Sequence, residues 1–129
     1  MSRTRLVTWM AVLALTVTGT AAGLASGAGN RNPVHLQFSE RSCTFKALVR
    51  WHGLDFTPAD VHFVFYRLGI IVQDDTIPVS AGDTTATDTY TGTASTTSNQ
   101  FWLNIYVERF PGDPSYAGAY SKTIVANCD

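Results

Sequence analysis

The chain predicts an all-β fold, a seven-stranded antiparallel sandwich, and three observations carry that prediction. Runs rich in Val, Ile, Phe, Tyr and Thr recur along residues 34–128. Gly, Pro, Asp and Asn cut these runs at regular intervals, which is the pattern of short strands and turns. Beyond the first 28 residues no stretch repeats its apolar positions with the period of a helix. Seven evenly spaced strands in about 100 residues are what a two-sheet sandwich needs.

The first strand is expected at "VHLQFS" (34–39). The second, "CTFKALVRW" (43–51), alternates: Cys43, Phe45, Ala47, Val49 and Trp51 take one face, and Thr44, Lys46 and Arg50 the other, with Leu48 the exception. The turn-rich "HGLDFTPAD" (52–60) follows. The third strand, "VHFVFYRL" (61–68), has apolar residues on both faces, with Phe63 and Phe65 on one and His62, Val64 and Tyr66 on the other. A tight turn at Gly69 leads to the fourth, "IIVQDDTIP" (70–78). "VSAGD" turns the chain into the fifth, 84–94. "STTSN" (95–99) is read as a turn before the sixth strand, "QFWLNIYVERF" (100–110). The loop "PGDPS" (111–115) precedes the seventh, 117–128.

The opening residues have a different character. Arg3 and Arg5 precede an apolar run from Leu6 to Val17, and small residues follow. That is the layout of a secretory signal peptide, here 1–28. The run falls short of the roughly 20 residues that cross a bilayer as a helix. Cleavage is expected after Ala28, with Ala22 and Ala25 as alternatives. No cysteine near the exit could take a lipid, Thr4 separates the arginines of any twin-arginine signal, and no later stretch could span a membrane. "GNRNP" (29–33) reads as a flexible lead, and the mature chain as a secreted, extracellular protein without a membrane anchor.

Without Arg3 and Arg5 the chain has 7 basic and 10 acidic side chains, a net charge of −3. A nucleic-acid partner would call for a basic excess. Cys43 and Cys128 are an even count in an exported chain, which predicts one disulfide. If the second to seventh strands each reverse direction, the start of the second and the end of the seventh share a pole, so the bridge is geometrically allowed.

In "GDTTATDTYTGT", Thr85, Thr87, Thr89, Thr91 and Thr93 share one face of an extended chain. Glycosylated hydroxyls and an ordered threonine array are alternatives; an outward strand face near a sheet edge, kept polar to limit edge pairing, is the expectation.

Little in the chain points to catalysis, a metal or a cofactor. Asp60 and His62 share a strand face, with His52 and Asp55 nearby, but four ligands at strict spacing are missing. "QDDT" lacks the spacing of a calcium loop. No serine sits in a G-x-S-x-G context, and no glycine loop suits a phosphate. The expectation is no enzyme, no catalytic residue, no metal and no cofactor.

"LVRW" followed by "VHFVFYRLG", then "FWLNIYVERF" before a loop and a last strand, resembles the fibronectin type III and bacterial immunoglobulin-like sandwiches. There a tryptophan ends the second strand and a tyrosine-arginine pair ends the third. "IPVSAGDTTATDTYTGT" is similar to the returning strand of such modules. True immunoglobulin domains bridge their second and sixth strands, and fibronectin type III modules usually carry no bridge, so this chain departs from both. The resemblance implies that the third and sixth strands are neighbours, and that the sixth-to-seventh loop recognises ligands together with the loop at 52–60. Two candidate sites follow. In "RFPGDPSY", Phe110 and Tyr116 flank a proline-stiffened loop suited to an unknown protein partner. On the sixth strand, Trp102 and Tyr106 lie outward and could stack on a polysaccharide.

Overall fold

The computed structural model describes residues 32–129. The expected signal peptide, its cleavage position and residues 29–31 of the lead lie outside the described residues. The described chain is all-β, with no helix, and forms eight strands: β1 (Val34–Arg41), β2 (Thr44–Trp51), β3 (Asp60–Arg67), β4 (Ile70–Pro78), β5 (Thr85–Thr91), β6 (Ala94–Glu108), β7 (Ala117–Tyr120) and β8 (Ile124–Cys128). All pairings are antiparallel. One sheet has the order β1-β2-β5; the other runs β4-β3-β6-β7, with β8 also on β6.

Period-two alternation sets the core. Phe45, Ala47, Val49 and Trp51 of β2 are buried, as are Val61, Phe63 and Phe65 of β3 and Phe101, Leu103, Ile105 and Val107 of β6. The two sets meet between the sheets, where the Phe45 and Phe101 rings lie 4.3 Å apart. This arrangement is sandwich-like, with one apolar layer between two half-wet sheets. It also decides the third strand, whose phenylalanines face inward and whose His62 and Tyr66 face outward.

Three boundaries differ from expectation. The seventh strand is two, β7 and β8, broken at 121–123. Leu103 N donates to Ser121 Oγ and Ser121 N to Leu103 O, so Ser121 keeps β6 satisfied across the break. The turn expected at 95–99 lies within β6. There five residue steps of β6 (Ala94 to Asn99) face two of β8 (Cys128 to Ala126), so polar residues bulge outward and the strand continues. Buried Asn99 anchors the bulge, its amide donating to Cys128 O at 2.6 Å. The reversal comes earlier, at Gly92-Thr93, where a β-carbon on Gly92 would stand 2.7 Å from Asp129 O.

Cys43 lies in the β1–β2 turn and not on β2. Ser42 and Cys43 both have positive φ (52° and 63°), the mark of a two-residue hairpin turn whose twist matches its strands. Cys43 is bonded to Cys128 at the end of β8, with Cα atoms 5.7 Å apart. The bridge ties the three-stranded sheet to the five-stranded one, at the pole opposite loops 52–59 and 109–116.

On one open side of the sandwich the sheets meet at acidic residues. Gln73 Nε2 of β4 donates to Asp75 Oδ2 (2.8 Å) and to Thr89 O of β5 (2.9 Å). Burial, and then a hydrogen bond with Asp75, push the Asp88 carboxyl up to about 6.

Candidate functional site

β3 and β6 run side by side, and their outward residues pair across the strands: Tyr66 with Trp102, Val64 with Asn104, His62 with Tyr106, and Asp60 with Glu108. Cross-strand neighbours on one face are within side-chain reach, so the rings form a row. Tyr66 and Trp102 stack at 5.5 Å with planes 11° apart. His62 leans on Tyr106 at 5.5 Å. Val64 points outward yet is only 4% exposed, enclosed in the row. At the far end of the row the β3–β4 turn exposes Leu68, Ile70 and Ile71, and Tyr120 of β7, opposite Asn104, is 82% exposed.

Tyr116 joins this row. Its ring meets Tyr106 edge to face at 4.5 Å. Gly118, opposite Tyr106, makes the space: a β-carbon there would come within 3.0 Å of the Tyr116 ring and 2.9 Å of Ile105 O. Three of the four expected ligand residues, Trp102, Tyr106 and Tyr116, therefore share one surface, and the two sites expected from sequence meet at Tyr106–Tyr116. Phe110 is exposed but lies elsewhere, against the Arg109 guanidinium (5.9 Å), which also covers Phe56 of the 52–59 loop (5.8 Å).

The loop after β6 is held from within. Asp113 is 2% exposed and accepts from Arg109 N, Arg109 Nε, Arg109 Nη2 and Ser115 N, at 3.0, 2.9, 3.2 and 2.8 Å. The Arg109 hydrogen bonds hold its carboxyl well below the usual carboxylate range. This staple holds the turn that leads into Tyr116.

Asp60 and Glu108 close the near end of the row, each 4% exposed. Burial pushes the Glu108 carboxyl up, and a hydrogen bond with Asp60 adds to the shift. Asp60 Oδ1 is buried with no hydrogen-bond partner. His62 Nδ1 lies 3.9 Å from Glu108 Oε1, and its Nε2 meets Asp74 Oδ1. His62, Tyr106, Glu108, Tyr116 and the 112–114 turn line an open depression of about 310 Å³. Sequence reasoning noted Asp60 and His62 but missed Glu108. Its outward parity with Tyr106 was legible; its burial under the 109–116 loop was not.

Among the described residues, the one group of three potential metal ligands within 4.8 Å of each other is Glu40, Cys43 and Cys128, whose thiols are taken up by the disulfide. His52 does not join Asp60 and His62; it is exposed, with its ring 5.3 Å from that of His35. No family model, no curated protein and no solved structure matches this chain.

Proposed function

We propose that the mature chain is a secreted, non-enzymatic protein-binding module with a fibronectin type III-like sandwich. The aromatic outer face of the five-stranded sheet, continued by the 109–116 loop, is its binding surface. The observation that carries this reading is the pair of ring clusters on one sheet face, Tyr116–Tyr106–His62 and Tyr66–Trp102, separated by the Val64–Asn104 pair. Rigid aromatics at the centre of a patch are the usual anchors of protein interfaces. The sheet order, with third and sixth strands adjacent, supports the sandwich type. The charged, then apolar, then small-residue start of the chain and the disulfide support export.

The polysaccharide reading draws on the same rings and is the weaker one. Sugar stacking wants open ring faces, and Tyr66 and Trp102 each cover a face of the other. Capture from the protein's native extracellular surroundings, run beside a glycan panel, separates the two. A protein retained by the wild type and lost in Trp102→Ala and Tyr106→Ala supports the proposal. Retention of a glycan alone would replace it with the polysaccharide reading.

A further inference from the structure

The depression at the near end of the ring row combines two features that together define a ligand chemistry. Its walls are aromatic: Tyr106 and Tyr116 stand edge to face, and His62 packs on Tyr106. Its lining includes the Glu108 carboxyl, with Asp60 opposite Glu108 on the neighbouring strand. We propose that this depression receives a cationic side chain of the partner, the ammonium of a lysine or the guanidinium of an arginine, with its charge on Glu108 and its stem against the tyrosine rings. The proposal rests on the protein-binding reading and names the group that the partner inserts.

Every charged group facing the site can be placed. From the loop, Asp113 is neutralised by Arg109, whose guanidinium is turned toward Phe56 and Phe110. From β4, Asp74 pairs with His62. From β3 and β6, Asp60 and Glu108 remain, with no Lys or Arg among the ion pairs made by either. The uncompensated charge of the site is therefore negative. Asp60, buried opposite Glu108 on the neighbouring strand, sets a second acidic side chain behind that lining. Ring faces and edges around a carboxylate favour a cation over a neutral chain of equal size. Burial holds the Glu108 carboxyl above its ordinary value, so entry of a cation, which favours its ionised form, releases a proton and affinity rises with pH.

The test uses N-acetyl-arginine amide and N-acetyl-lysine amide as probes, with N-acetyl-norleucine amide as the uncharged counterpart of lysine. Ring resonances of Tyr106, Tyr116 and His62 are followed by NMR in the full mature protein. The cationic probes are expected to shift them saturably and the norleucine probe is not. Affinity should rise with pH as Glu108 ionises, and fall roughly tenfold in Glu108→Gln, a variant that keeps a hydrogen-bonding group in place. Tyr116→Ala, outside the core, should weaken the probes as well. No shift with either cation, or equal shifts with norleucine, overturns the proposal. Loss of partner capture in Tyr106→Ala, measured separately, would leave the binding face standing in that case.

Discussion

On the outer face of the three-stranded sheet, Thr85, Thr87, Thr89 and Thr91 of β5 stand beside Lys46, Leu48 and Arg50 of β2 and Arg41 of β1. On the outer face of the five-stranded sheet the corresponding positions hold Tyr66, Trp102, Tyr106 and Tyr120, with Asp60, Asp74 and Glu108. Both faces are generated by the same alternation over one core. At these positions the first carries cations and hydroxyls, and the second carries rings and carboxylates. Alternation thus decides what is outside, and residue type decides what the outside is for. Hydroxyls and charged heads stay solvated and blunt an edge strand such as β5. Rings on a sheet gain from a partner that removes them from water.

The disulfide is what the two faces share, so breaking it should damage both and have the largest effect. It joins the β1–β2 turn to β8 across 85 residues, a loop for which chain entropy gives about 4–5 kcal/mol. Urea unfolding of Cys43→Ser/Cys128→Ser should show a loss of that size with no preference for either face.

The faces should then part company in binding. Tyr106→Ala and Trp102→Ala are expected to cost about 2 kcal/mol of partner affinity each, roughly a thirtyfold rise in Kd. Interferometry against the captured partner measures this. Phe110→Ala, off the ring row, should cost less than about 1 kcal/mol.

The seam between the sheets gives a smaller effect that depends on pH. Asp88 titrates at about 6 in the folded chain, against an ordinary 3.8, because it is buried beside Asp75. The folded state then holds the proton more tightly than the unfolded state. Stability contributed by this group is present below the ordinary value, is lost as pH climbs to about 6, and stays level above. In a pH series of thermal melts, the difference between wild type and Asp88→Asn should follow that course. A flat difference would mean that the carboxyl is not held at the seam.

Least of all should follow from Thr87→Val and Thr89→Val. On an exposed strand face each is expected to change stability by no more than about 0.5 kcal/mol and to leave partner affinity unchanged. A loss of affinity here would put function on the wrong face.

Much of this contrast could be read in the sequence. The alternation in β2 and β6 gave the core positions, the cysteine parity allowed the bridge, and the threonine spacing gave the outer face of β5. What was not legible depended on contacts between distant segments. The break at Ser121 and the bulge at 95–98 are visible only once β8 lies along β6. Tyr116 was placed with Phe110 on the loop, since nothing local says that Gly118 opens room for its ring over Tyr106. The burial of Glu108 is not legible locally, because it depends on the loop that Asp113 folds back over it.

The most direct test of the binding-face assignment is a comparison of partner capture by four proteins at equal folded concentration: wild type, Tyr106→Ala, Trp102→Ala and Thr87→Val/Thr89→Val. The account predicts that the wild type and the threonine variant retain the same extracellular protein with equal affinity, while both ring variants lose it and still unfold cooperatively near the wild-type midpoint. Equal retention by all four, or loss confined to the threonine variant, would contradict it.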